Sequence, residues 1–196
     1  PELTAKLIEN SYQNSYQNIN EKINFSNTIE EWIEIHKILS YWELEISEVE
    51  QNEVYDILSS QKKQANKLFA EFISKNYEKL LLNNDFLNSI NLFKNKIIPE
   101  ISSNYPTLMI LIDNFRYDQW KSIEPLILED YKLETDIVYT SILPTTTQYA
   151  RNSIFSGLSP LELKESHPNH WVSEIDDEGK NKYEKELLNA QFLRLD

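Results

Sequence analysis

The first half of the chain carries its apolar residues at helical spacing. Ile29, Trp32, Ile35, Leu39 and Trp42 recur at steps of three and four, which predicts a helix with one buried face. Thr28-Ile29-Glu30-Glu31 precedes it with capping-box spacing, a hydroxyl for one orphan N–H and a Glu three residues on reaching back. Ser47-Glu48-Val49-Glu50 repeats that pattern ahead of a longer stripe of Val54, Ile57, Leu58, Ala65, Leu68, Phe69, Phe72, Ile73, Tyr77 and Leu80. Asn83-Asn84-Asp85 is a break, and Phe86 to Ile101 reads as a third helix with Phe93, Ile97 and Ile98 inward, limited by Pro99. Residues 1–25 read as a leading helix; the echo of Tyr12-Gln13-Asn14 in Tyr16-Gln17-Asn18 is too short to be a repeat architecture.

The pattern changes near residue 107. Leu108-Met109-Ile110-Leu111-Ile112 is an unbroken apolar run ending in Asp113, the signature of a central parallel strand buried on both faces. A helical stretch with Ile123, Leu126 and Ile127 follows, and Leu133 to Leu143, rich in Ile, Val, Tyr and Thr, is a second strand candidate. The order helix, strand, helix, strand predicts an α/β class: a helical bundle over residues 1–107, then a parallel-sheet domain over residues 108–196. In such sheets ligands gather at the carboxyl ends of strands, where Asp113 and the turn Pro144-Thr145-Thr146-Thr147 fall.

Composition narrows the reading. The 196 residues include no cysteine, which excludes disulfides, thiolate nucleophiles and Cys-ligated zinc and fits a cytoplasmic setting. No apolar run approaches the length of a membrane span, so no membrane insertion is expected. The net charge of −13 repels polyanions on average, although a local phosphate site needs only a few aimed donors. Only two glycines are present, Gly157 and Gly179, too few for the turns of a complete α/β enzyme, and residue 1 is Pro; both point to a fragment.

Chemistry concentrates in the second half. Asp113 has two readings: a cap on the following helix, or a ligand for a hard metal beside an anionic substrate. In Thr147-Gln148-Tyr149-Ala150-Arg151-Asn152-Ser153-Ile154-Phe155-Ser156-Gly157, Thr147 falls in the first turn of a helix, where the dipole favours phosphate. Arg151 lies one turn later on the same face, and Gly157 is placed to end the helix. A Thr hydroxyl near a carboxylate-held dication can act as a nucleophile. His167 and His170 have His-x-x-His spacing and read as loop residues beside Trp171. In the first half, His36 reads as a packed or surface histidine, and the acidic run from Glu43 to Asp56 reads as a solvated face or a dock for a basic partner.

Leu108–Asp113 with Asn-Phe-Arg-Tyr-Asp-Gln-Trp-Lys behind it, and Ser141-Ile-Leu-Pro-Thr-Thr-Thr-Gln-Tyr-Ala-Arg-Asn-Ser-Ile-Phe-Ser-Gly157, resemble the PglZ domain of PorX-type response regulators, within the alkaline phosphatase superfamily. The similarity extends to Gly179–Glu184, Glu31-Trp32 and Leu39–Leu44, so it covers nearly the whole chain. It implies a helical linker followed by the first part of an alkaline-phosphatase-like sheet domain. Asp113 matches the first metal ligand; Thr147 matches the nucleophile, which also coordinates metal, its register set by Pro144 and Gly157. Arg151 and Asn152 are the corresponding candidates for holding phosphate, although the family's usual Asn falls closer to the nucleophile. The resemblance implies zinc and hydrolysis of phosphodiesters, nucleotides or short oligonucleotides among them. Its remaining Asp and His ligands lie in the C-terminal half of a PglZ domain, so the chain as given is expected to be inactive. The same resemblance implies a sensor histidine kinase acting through a receiver domain, a sigma factor or type IX secretion component downstream, and a homodimer. The alternative is a signalling adaptor in which the PglZ fold is a docking surface.

Overall fold

The computed structural model describes residues 2–47, 53–101, 104–172 and 179–195. They form two compact units, Pro1–Leu82 with Leu111–Asp136, and Asn83–Ile110 with Ile137–Asp196.

The first unit is a bundle of α1 (Glu2–Phe25), α2 (Ile29–Ser47) and α3 (Glu53–Leu81), joined by α4 (Tyr117–Ile127), which packs on α2. The predicted stripes are its core: Trp32, Ile35, Leu39 and Trp42 of α2 and Val54, Leu58 and Ala65 of α3 close on Tyr12, Ile19 and Ile23 of α1. Aromatic contacts fill the centre, with Tyr12 edge-on to Trp42 at 5.3 Å and Trp32 tilted on Phe69 at 5.5 Å between ring centroids. A polar pair, Tyr12 and Gln61, is built into this core. The Tyr12 hydroxyl donates to Gln61 Oε1 at 3.0 Å, and Gln61 Nε2 donates to Tyr16 O and Asn20 Oδ1. Burial, with Tyr16 adding to it, raises the Tyr12 pKa to about 12, so the phenol remains neutral in the folded bundle.

The capping box before α2 forms as its spacing predicts. Thr28 N–H donates to Glu31 Oε2 at 3.0 Å, and Glu31 N–H donates to Thr28 Oγ1 at 3.3 Å. The repeat at Ser47-Glu48-Val49-Glu50 lies, beyond Ser47, outside the described residues.

The third predicted helix does not form across its range. Helical geometry is confined to its end: Leu92 leads into Phe93–Ile97, a π-helical turn, followed by Ile98–Glu100, a 3₁₀ turn with Pro99 in its first positions. Asparagines take over the backbone upstream: Asn83 Oδ1 accepts from Asp85 N–H, Asn88 Oδ1 from Ile90 N–H at 2.8 Å, and Asn91 Oδ1 from Asn88 N–H. These local bonds compete with helix formation.

The expected parallel sheet is also not formed. Among the described residues no strand is present, and the one β pairing is an isolated parallel bridge between Asn88 and Thr140. Thr140 N–H donates to Leu87 O at 3.0 Å and Ile142 N–H to Ser89 Oγ at 3.2 Å. Thr140 and Ile142 of the second strand candidate thus bond to the turn at Leu87–Ser89. A strand exists only through a neighbour's hydrogen bonds, and the apolar run lacks that neighbour among the described residues. Its side chains face solvent, Leu108 at 84% and Ile110 at 73% exposure.

The second unit is built from α5 (Asn152–Ser156), α6 (Pro160–Ser166) and α7 (Glu184–Leu195) around Phe155, Leu163 and Leu187, with Leu158, Trp171, Tyr183 and Leu188 packed against them. Ser159 opens α6 with a complete capping box to Glu162. No helix among the described residues is long and apolar enough to cross a membrane.

Candidate functional site

Asp113 belongs to the first unit, exposed at the end of the apolar run. Its Oδ1 accepts the N–H of Asn114 at 3.0 Å, and Asn114 is left-handed at φ 53°. The turn so made sets Asp113 off from the helix behind it. The N-cap of α4 is Arg116, whose N–H donates to Gln119 Oε1 at 2.9 Å. The cap reading of Asp113 is therefore not the observed geometry. Arg116 also grips Asp118 with two bonds of 2.9 and 2.7 Å, and that guanidinium holds the Asp118 carboxyl below its ordinary value.

Beside this start of α4 a groove of about 590 Å³ opens within the first unit, lined among others by His36, Glu43, Lys62, Arg116 and Asp118. Its charges are paired within it, Lys62 with Glu43 and Arg116 with Asp118. His36 lies against the Tyr117 ring at 5.8 Å. Desolvation lowers its pKa, Asp118 pulling the other way, Lys62 adding to the fall and Glu43 opposing it.

Thr147 belongs to the second unit. It opens a wide π-helical turn, Thr147–Arg151, with extended Thr146 as N-cap, and the turn runs directly into α5. Ala150 N–H donates to Thr146 O at 2.9 Å, and Asn152 N–H to the carbonyls of Thr147 and Tyr149. Gly157 ends the helix as its spacing predicts, left-handed at φ 63° with its N–H on Ser153 O at 2.8 Å. Thr147 is half-buried, while Gln148, Asn152, Ser153 and Ser156 are buried.

Contacts from distant sequence hold the segment. Arg151 Nε pairs with Glu184 Oε1 and its Nη2 with Glu184 Oε2 at 3.2 Å, while the guanidinium lies over the Phe155 ring at 5.9 Å. Asn152 Nδ2 donates to Lys180 O at 2.9 Å, and Asn152 Oδ1 is buried without a hydrogen-bond partner. At the far end, α7 satisfies carbonyls that a helix terminus leaves open. Gln191 Nε2 donates to Ile154 O and Phe155 O, both at 3.0 Å, and Arg194 donates to Ser156 O. His167 caps the 3₁₀ turn Pro168–His170 and stacks its ring on that of His170, the turn's last residue, at 6.0 Å, and His170 packs on Tyr183 at 5.0 Å. Burial lowers the His167 pKa, with Arg194 and then His170 adding to it.

Thr147, Arg151 and Asn152 thus share one helical segment, and Asp113 is carried by the other unit. Glu184 entered the sequence reading only as the end of the Gly179–Glu184 resemblance, and Gln191 and Arg194 not at all; the pairings of all three had no signal in the local pattern, because their partners lie 33 to 38 residues away. Among the described residues no group of three or more His, Asp or Glu is arranged to hold a metal ion.

Comparison with known families bears on both halves. The model of the PorX response regulator linker domain matches residues 2–81, the span of α1 to α3. That of the BREX system PglZ alkaline phosphatase-like domain matches residues 92–194, a span that holds both Asp113 and Thr147. No curated protein matches the chain. With more than half of its length inside the second match, the chain belongs to the PglZ alkaline phosphatase-like family, joined here to a linker domain of the PorX response regulator type.

Proposed function

We propose that the chain supplies the linker and part of the effector of a response regulator whose PglZ domain hydrolyses phosphodiesters. The observation that carries this reading is the single family match enclosing Asp113 and Thr147, with Thr147 at the opening of a helical segment. Thr147 is the proposed nucleophile. Its hydroxyl oxygen attacks phosphorus, the leaving alcohol departs with the hydroxyl proton, and water later cleaves the phospho-threonine ester to regenerate the hydroxyl. Nucleotides or short oligonucleotides are the proposed substrate class.

Zinc is the proposed cofactor, with Asp113 and Thr147 its ligands in this chain. A carboxylate and a hydroxyl fall short of the three protein donors usual in a catalytic zinc site. Among the described residues no group of three acidic or histidine side chains is set to hold a metal. The residues present therefore do not complete a zinc site, and the part this chain plays in the reaction is that of the Thr147 hydroxyl.

In this reading the protein works in the cytoplasm as a homodimer, downstream of a sensor histidine kinase, and acts on type IX secretion and gliding. A second reading, an adaptor that docks a sigma factor or secretion component, draws support from the PorX linker match and from the charge of −13, which suits a basic partner. The deciding experiment compares zinc content and hydrolysis of a chromogenic phosphodiester for the whole protein and its Thr147→Ala variant. The enzyme reading expects bound zinc and a rate that falls by roughly a thousandfold or more in the variant. Equal background rates, with partner binding intact, would leave the adaptor.

A further inference from the structure

We propose that Glu184 is the positioning residue of the Thr147 segment, and that Arg151 is its tether rather than a ligand for substrate phosphate. The inference rests on the reading of Thr147 as nucleophile, but its geometry stands apart from it. The Arg151–Glu184 pair uses both carboxylate oxygens and two guanidinium nitrogens, a fork that fixes orientation as well as distance. Both side chains are about four-fifths withdrawn from solvent, at 19% and 21% exposure, so the pair is not a loose surface contact. Phe155 backs the guanidinium from within the same helical segment. The adjacent residue is held by the same stretch of chain, Asn152 Nδ2 on Lys180 O. Two consecutive residues of the candidate site are therefore fastened to residues 180–184, which themselves turn at Gly179, φ 80°, with Lys182 N–H on Gly179 O at 3.0 Å.

An arginine neutralised in this way has little charge left to offer a phosphate, and releasing it would leave a carboxylate four-fifths withdrawn from solvent without its partner. Its placement suits a different task. Arg151 closes the wide turn that Thr147 opens, so the Glu184 carboxylate sets where that turn ends and, through it, where the Thr147 hydroxyl stands.

The test compares Glu184→Gln, Glu184→Asp, Arg151→Glu and the charge-swapped pair Arg151→Glu with Glu184→Arg in the whole protein. Two readouts are taken: phosphodiester hydrolysis, resolved into kcat and KM, and hydrogen exchange at the amides of Ala150 and Asn152. A displaced nucleophile lowers kcat by roughly ten- to a hundredfold with KM little changed. Glu184→Asp, which keeps the charge, loses less than Glu184→Gln, and the swapped pair recovers most of the loss. A rise in KM with kcat intact, unrelieved by the swap, would mean that Arg151 contacts substrate and would overturn the proposal. If the wild type hydrolyses nothing, the enzyme reading fails by itself and the exchange rates decide. Faster exchange at both amides in the single variants, slowed again in the swapped pair, supports the tether; unchanged exchange rejects it.

Discussion

At Gly157 two constraints coincide. Its φ of 63° is left-handed, and an added Cβ would stand 2.9 Å from Gln191 Cδ and Nε2. Gln191 is buried and tied to the carbonyls of Ile154 and Phe155, so it has little freedom to yield. Gly157→Ala is expected to lower stability by about 2–4 kcal/mol, the backbone strain adding to strained or broken Gln191 bonds. Gly179→Ala is the control: φ is positive there too, at 80°, but the new Cβ meets only Lys182 carbons at 3.7 Å, so strain alone remains, about 1–2 kcal/mol. Urea unfolding of both variants separates the two costs, and equal losses would contradict the Gln191 clash. Half of this site was legible in the sequence. A glycine closing a helical segment is a local signal, and Gly157 terminates α5 as expected. The amide that fills the space beside it comes from 34 positions along the chain, and no spacing rule reaches that far. The same divide separates Thr147, whose place in a first turn follows from its neighbours, from Arg151, whose partner Glu184 does not.

Among the elements, α2 was the most legible because its stripe and its cap are both local. Its cap also predicts a pH dependence. The Glu31 carboxyl is held below its ordinary value by the N–H of Asn27, then by that of Thr28, with desolvation opposing. A carboxyl depressed in the folded state contributes stability that is present above its unfolded pKa and lost as pH falls through its folded one. The wild type is therefore expected to lose more stability than Glu31→Gln between neutral and acid pH, read as the shift of the urea midpoint. Thr28→Ala removes the other half of the box at a cost of about 1 kcal/mol. A pH profile identical in wild type and Glu31→Gln would remove the carboxylate from the cap. Phe86–Ile101 failed as a helix for an equally local reason, since Asn83, Asn88 and Asn91 offer the backbone competing partners. Leu108–Ile112 failed for a non-local one. Apolar content makes a run suitable for a buried strand, but pairing decides whether it is one.

For the whole molecule, that run sets two opposing forces against each other. Leu108 and Ile110 expose most of their surface in a segment outside any helix or strand, which favours association with another apolar surface or backbone edge. The net charge of −13 opposes approach of a second copy. The repulsion acts over a Debye length, about 10 Å at 0.1 M salt and about 3 Å at 1 M, whereas the apolar attraction is not weakened by salt. Added sodium chloride should therefore raise the self-association of this 196-residue chain, the reverse of what an ion-pair interface would do. Ile110→Lys should suppress it at both ends of the salt range, because the lysine places a charge where the exposed apolar row must be desolvated. The bundle core of Trp32, Leu39 and Leu58 is untouched by that change, so its helical content and unfolding midpoint should stay as they were. Sedimentation velocity at low and high salt measures both effects. Association that falls with salt, or that survives Ile110→Lys unchanged, would place the contact elsewhere and leave the exposed run without a part in it.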